Sequence, residues 1–156
     1  MSPDLSNPSL QAARAFLAGQ TLPHWCDPQK LVLALHIDEA SPSNNVIKGQ
    51  HFHEYRKTRK GFAAKLAAAL GHRQPPKLQQ SALFVVRRSA GQLDWDNAIG
   101  GLKPILDSMV APKSANPDGL HIVEDDKPSH MPFPPMMVQL PAKRSKGTTD
   151  IYVFAL

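Results

Sequence analysis

The sequence predicts a mixed α/β domain of the α+β kind, in which a mixed β-sheet is covered by two main helices. Three observations predict it: short apolar runs typical of buried strands, one long amphipathic helix, and clusters of turn residues between them. The length of 156 residues suits one domain with a single core. Strands that precede and follow two helices favour a helix-covered sheet.

The first elements of the domain are the clearest. Residues 30–38 (KLVLALHID) form an apolar run that fits a largely buried strand, and turn residues at 41–45 (SPSNN) end it. Residues 54–70 carry apolar side chains at helical spacing, with Gly71 where a C-terminal cap would stand. We therefore expect a strand, a turn and a long helix.

The second half of the chain continues the mixed pattern. We expect a strand at 82–88 (ALFVVRR), a helix from about 96 to 110, a short apolar strand at 120–123 and an acidic turn at 124–126. Two further strands are predicted at 136–140 and 150–156, joined by the basic loop 142–147. Trp95 is expected to pack against the protein.

The N-terminal segment has a different composition. Residues 1–29 contain four prolines and one short helical candidate at 10–18. We interpret this segment as an extension or arm, and residues 30–156 as the domain proper.

Composition narrows the class of protein. A formal net charge of +5 and a pI near 9.5 favour a polyanionic partner. The single cysteine, Cys26, excludes an intramolecular disulfide and a cysteine-based zinc site. No apolar run is long enough to span a membrane, and the N-terminus does not have the pattern of a signal peptide. We expect a cytoplasmic protein without a membrane partner.

An acidic pair dominates the segment at 93–107 (LDWDNAIGGLKPILD). Asp94 and Asp96 are one residue apart, and two close carboxylates repel each other unless a positive charge lies between them. Carboxylate oxygens suit Mg²⁺, or Mn²⁺, better than zinc, and a third ligand can come from Asp125 or Asp126. The alternative is helix capping, which explains one aspartate of the pair but not the second.

The lysine in this segment adds a possible catalytic group. On one continuous helix, Asp96, Gly100, Lys103 and Asp107 would share a face, with Gly100 leaving clearance beside the cation. The opposite face would be the buried stripe, formed by Ile99, Leu102, Ile105, Leu106 and Met109. The Lys103 ammonium could then stabilise negative charge on a phosphate. Pro104 leaves two alternatives: the helix is kinked, or it begins anew at the proline, in which case the shared face is lost.

These motifs together resemble the RusA-type Holliday junction resolvases, in particular their phage-like branch. The matching pieces are the turn at 41–45, the D-W-D-N at 94–97, the K-P-I-L-D at 103–107 and the segment at 119–128 that contains the acidic pair. They occur in the family's order, and the resemblance covers roughly residues 31 to 156.

The resemblance implies a RusA-like fold and a Mg²⁺-dependent endonuclease that resolves four-way DNA junctions as a homodimer, without a small-molecule cofactor. It implies that Asp94, Asp96 and Asp126 bind Mg²⁺, with Asp125 as an alternative to Asp126, and that Lys103 assists cleavage. A two-fold dimer suits this reaction, because resolution needs two symmetric cuts.

The sequence also departs from the family pattern. Bacterial members carry the lysine one helical turn earlier, where this chain has Gly100, and Ser41 replaces the first proline of the family's turn. Glu124 precedes the acidic pair, and the N-terminal segment has no counterpart.

Two functions other than junction resolution stay open: a non-catalytic DNA-binding protein of the same fold, and a nuclease acting on flaps or other branched DNA.

Basic and amide side chains supply the predicted DNA contacts. Arg87 and Arg88 are further candidate contacts. The residues predicted to bind DNA are Asn44, Asn45, Lys48, Arg56, Lys57, Arg59, Lys60, Lys143, Arg144 and Lys146.

Overall fold

The computed structural model of the chain describes residues 8–143 and 147–156. In this part the helices are α1 (Pro8–Ala18), α2 (Asn44–Lys48), α3 (Phe52–Leu70), α4 (Trp95–Gly100) and α5 (Lys103–Met109), with a single 3₁₀ turn at Pro28–Lys30. The strands are β1 (Leu31–Ile37), β2 (Ser81–Ser89), β3 (Met136–Pro141) and β4 (Thr148–Ala155). No helix in these ranges is long and apolar enough to cross a membrane.

The four strands form one mixed sheet in the order β1-β4-β2-β3. Strand β4 is antiparallel to both β1 and β2, and Ile151 lies opposite Leu35 on one side and Val85 on the other. Strand β3 runs parallel to β2. The predicted α+β class and its mixed sheet are confirmed. The last two predicted strands exist, but they flank β2 instead of pairing with each other.

Helices cover both faces of the sheet. Successive residues of a strand point to opposite faces, so alternate residues of β2 and β4 enter two separate hydrophobic clusters. The helices α3 and α5 pack on one face, where Leu66, Leu102 and Ile105 are buried. Helix α1 packs on the other face.

The part of the N-terminal segment that the structure describes is packed onto the sheet. Leu10, Leu17 and Cys26 are buried against the second face together with Phe84 and Phe154 of the strands. The Arg14 guanidinium donates to the carbonyls of Pro28 and Leu31, which fixes α1 at the start of β1. Residues 8–29, interpreted from the sequence as an extension, therefore complete the core on this face.

The predicted helix from 96 to 110 is two helices. α4 ends at Gly100, and α5 begins at Lys103 with Pro104 as its second residue. A proline fits the first turn of a helix because the amide hydrogen it lacks has no partner there. Of the two alternatives left open by Pro104, the structure shows the new start.

Three local expectations were wrong. Residues 120–123 make one isolated bridge, between Leu78 and Val123, and form no strand. Ile99 was assigned to the buried stripe of the helix and Trp95 was expected to pack, but they are 37% and 59% exposed. Both side chains belong to the short helix α4, whose buried residue is Ala98.

Candidate active site

The turn after β1 docks onto the start of α4, and this contact brings two of the sequence motifs together. The backbone amide of Asn45 donates to Oδ1 of Asn97 over 3.1 Å. Ser43 caps α2 by accepting a hydrogen bond from the amide of Val46. The segments at 41–45 and 94–97, which are far apart in sequence, are therefore neighbours in the fold.

Two glycines permit this close approach. A Cβ atom at Gly101 would lie 1.7 Å from the carbonyl oxygen of Pro42, and one at Gly100 would lie 2.4 Å from Cγ of Asn44. Contacts this short are sterically impossible without movement of the turn. Gly100 therefore leaves room for Asn44. The expectation that it also provides clearance beside a cation stays a prediction.

Asp94 is the N-cap of α4. Its Oδ1 accepts from the backbone amide of Asn97 and its Oδ2 from the Asn97 side chain, both over 3.0 Å. These hydrogen bonds, the backbone one first, hold the pKa of Asp94 below its usual value. Asp96 lies in the first turn of α4 and is exposed to solvent. The capping interpretation is confirmed for Asp94 and leaves the Asp96 carboxylate at the surface.

Lys103 points at Asp107 one turn further along α5. Its Nζ lies 3.0 Å from Oδ2 and 3.2 Å from Oδ1 of Asp107. The hydroxyl of Tyr55, on α3, donates to the same Oδ2. Because the helix restarts at Lys103, the shared face predicted for Asp96, Gly100, Lys103 and Asp107 is wrong as a whole, although Lys103 and Asp107 do share one.

The acidic turn lies beside Asp107. Lys113 binds the Asp125 carboxylate over 2.9 Å, and this hydrogen bond lowers the pKa of Asp125 to about 2. Asp126 faces solvent in part, yet burial of its carboxyl raises its pKa, and the neighbouring carboxylates of Asp125 and Asp107 raise it further. Asp126 is therefore the acid of this group that another positive charge would stabilise most.

The predicted metal ligands are not grouped closely enough to hold a metal ion by themselves. Among residues 8–143 and 147–156, no group of three histidine, cysteine, aspartate or glutamate side chains is arranged to hold a metal ion. Mg²⁺ nevertheless keeps several waters and often takes only one or two carboxylates from the protein. The crowding of Asp126 by two other carboxylates fits the donor chemistry of such an ion.

The predicted DNA contacts fall into two groups. Arg59 and Arg87 are buried, so neither is a surface contact. The Arg59 guanidinium lies 3.8 Å from the carboxylate of Asp118, and Arg87 donates to the carbonyl of Ser41. Burial lowers the pKa of Arg87. Both arginines are held by neighbouring segments of the protein, and their assignment to DNA is corrected.

The remaining candidates reach the surface to different degrees. Asn44 is half-buried against Gly100, and Arg56 is half-buried with its guanidinium 5.5 Å from the Phe52 ring centroid. Arg88 forms an ion pair with Asp150. Arg144 and Lys146 lie outside the described residues. The exposed candidates are Asn45, Lys48, Lys57, Lys60 and Lys143.

Two residues of this site had no role assigned from the sequence, although Asp107 was placed on the same helical face as Lys103. Asp107 lies four residues after Lys103, a spacing that places both on one helical face, and this signal was present in the sequence. Tyr55 belongs to the apolar stripe of α3 and gave no sign of its hydrogen bond. Its role is visible only once α3 and α5 are packed together.

No protein-family model matches this chain, and no curated protein matches its sequence.

Proposed function

We propose that this chain is a Mg²⁺-dependent endodeoxyribonuclease that resolves four-way DNA junctions as a homodimer. The observation that carries the proposal is that the acidic turn lies beside one face of α5. Lys103 and Asp107 lie on that face, and Asp126 comes to Asp107 from a turn 19 residues later in the chain. This convergence puts carboxylates and an ammonium beside each other at the protein surface, an arrangement that can assist phosphodiester hydrolysis.

The proposed ligands are Asp96 and Asp126, and Asp94 and Asp125 are the further carboxylates that the resemblance of the motifs names. Asp125 is already paired with Lys113, which favours Asp126 over Asp125 as the ligand from the acidic turn. When bound, Mg²⁺ or Mn²⁺ would supply a Lewis acid that polarises the phosphate and makes a bound water more acidic.

Lys103 supplies the positive charge that belongs to the chain itself. Hydrolysis joins a water oxygen to phosphorus and breaks the bond to the leaving sugar oxygen, so negative charge grows on the phosphate oxygens. The Lys103 side chain is 59% exposed, so its ammonium is accessible to a phosphate at the surface. We assign Lys103 the role of stabilising this charge.

The basic surface and the dimer complete the proposal. Lys57 and Lys60 of α3 and Lys48 of α2 are exposed and would contact phosphates without reading sequence. A two-fold homodimer would present two sites for paired cuts. A DNA substrate is compatible with the cytoplasmic location expected from the sequence.

A second candidate is a non-catalytic DNA-binding protein, and the role of Asp94 favours it. Both Asp94 oxygens are engaged in capping α4, so this acid already has a structural function. In that case the basic residues would bind DNA in the same way, but no divalent ion would bind at the acidic residues.

Calorimetric titration with Mn²⁺ separates the two candidates. We expect saturable binding by the wild-type chain and at least tenfold weaker binding by Asp126→Asn, because the ion loses a ligand. Asp38→Asn is the matched control: its side chain is 94% exposed, and it lies just after β1. Absence of saturable binding by the wild type, or equal binding by Asp126→Asn and the wild type, would contradict the metal site.

A further inference from the structure

A hydrogen-bonded network joins α3 to the first turn of α5. The Tyr55 hydroxyl donates to Oδ2 of Asp107, and the Lys103 ammonium lies 3.0 Å from the same oxygen. Nζ of Lys103 also lies 5.8 Å from the centroid of the Tyr55 ring. The ammonium is thus held by a carboxylate and by the face of an aromatic ring.

The carboxylate of this network is largely buried, whereas its ammonium is exposed to solvent. The Asp107 side chain is 18% exposed, whereas the Lys103 side chain is 59% exposed. Burial, and then the hydrogen bond to Asp107, raises the pKa of Tyr55, so its hydroxyl remains a donor throughout the neutral range. A fixed carboxylate therefore orients a cation that reaches solvent.

Stability of α5 does not explain the lysine. A positive charge in the first turn of a helix opposes the helix dipole, and a lysine four residues before an acid is the weaker of the two possible orders. The bond between Tyr55 and Asp107 would join α3 to α5 equally well without Lys103. The helix dipole thus disfavours a lysine at this position, and its pair with Asp107 offsets this less than the reverse order would, which indicates a role for the ammonium at the surface.

We infer that Tyr55 and Asp107 are positioning residues that hold the Lys103 ammonium in place for cleavage. The inference rests on the proposed function, in which Lys103 stabilises the charge that grows on the phosphate. Without the Tyr55 hydroxyl, the Asp107 carboxylate loses the donor that fixes its rotation, and the ammonium loses its fixed position. Misplacement of a catalytic group by about 1 Å is enough to slow a reaction strongly.

A double-mutant cycle on junction cleavage tests this coupling. We expect Tyr55→Phe to lower kcat about tenfold with little change in KM. In a Lys103→Met background the same substitution should have no further effect, because Tyr55 acts through the lysine. The chain's second tyrosine provides a control, Tyr152→Phe, which should leave both constants unchanged. An equal loss in both backgrounds, or no loss from Tyr55→Phe, would overturn the inference.

Amine labelling followed by mass spectrometry tests the network without any cleavage. Lys103 should react more slowly with an acylating reagent than Lys60, which is exposed on α3, and Tyr55→Phe should raise the Lys103 rate several-fold. Equal rates at Lys103 in the wild type and in Tyr55→Phe would overturn the inference. A wild-type chain that protects Lys103 but cleaves no junction would contradict the proposed function while supporting the network.

Discussion

The residue at position 101 must be a glycine because the turn at 41–45 packs directly against it. The carbonyl oxygen of Pro42 occupies the space where any other residue would carry its Cβ. The amide of Asn45 then bonds to the side chain of Asn97, which Asp94 in turn holds in place. The sequence shows two adjacent glycines, but the reason for them lies in a turn more than 50 residues earlier, which sequence spacing alone does not reveal.

Substitution of Gly101 should therefore be more damaging than substitution of a helical glycine in open space. Gly101→Ala should lower the free energy of unfolding by about 1–3 kcal/mol, because the turn at 41–45 must move. Gly61→Ala is the matched control: apart from its chain neighbours and the backbone of its own helix, no atom lies within 4 Å of its new Cβ, and it should stabilise α3 by about 0.5–1 kcal/mol. Urea unfolding measures both, and equal effects would contradict the docked turn.

At the scale of an element, α3 shows what periodicity can and cannot predict. Its apolar positions predicted the helix, and the structure places it at Phe52–Leu70. Arg59 lies four residues after Tyr55 and three before Phe62, so the same periodicity places it on the buried stripe. Its charge suggested a surface role, but the packing of α3 against the loop that contains Asp118 decides its environment.

Arg59 and Lys60 should therefore respond differently to truncation. Arg59→Ala should lower the free energy of unfolding by about 1–3 kcal/mol, because the buried Oδ2 of Asp118 loses the guanidinium that lies 3.8 Å away. Lys60→Ala should change stability by less than about 0.5 kcal/mol but reduce by about one the slope of log binding constant against log salt for DNA. Denaturation and salt-dependent DNA binding measure the two effects. A salt slope that falls in Arg59→Ala at unchanged stability would contradict the buried assignment.

At the scale of the whole molecule, the sequence predicted the elements better than their arrangement. The sequence segments that form the four strands are apolar enough that each one predicts a strand by itself. Which strands become neighbours depends on long-range pairing, so the central position of β4 between β1 and β2 could not be read from spacing. The same limit applies to α1, because its short length and the four prolines of residues 1–29 concealed its packing on the sheet.

For the candidate site, too, the sequence predicted individual residues better than their arrangement. Asp96, Lys103 and Asp126 were identified from motifs, because short spacings and residue types are local properties. The approach of Asp107 to Asp126 depends on how α5 packs beside the acidic turn, and that is a property of the fold. Since the chain matches no family model, the proposed function rests on this geometry and on the resemblance of the motifs.

Cleavage of a labelled synthetic four-way junction in Mg²⁺ is the decisive test of the proposed endonuclease activity. A linear duplex of the same sequence is the substrate control, and Asp38→Asn is the protein control for Asp126→Asn. The proposed function predicts paired, symmetric nicks in the junction alone, lost in Asp126→Asn and retained in Asp38→Asn. An intact junction, or equal cleavage of the duplex, would contradict it.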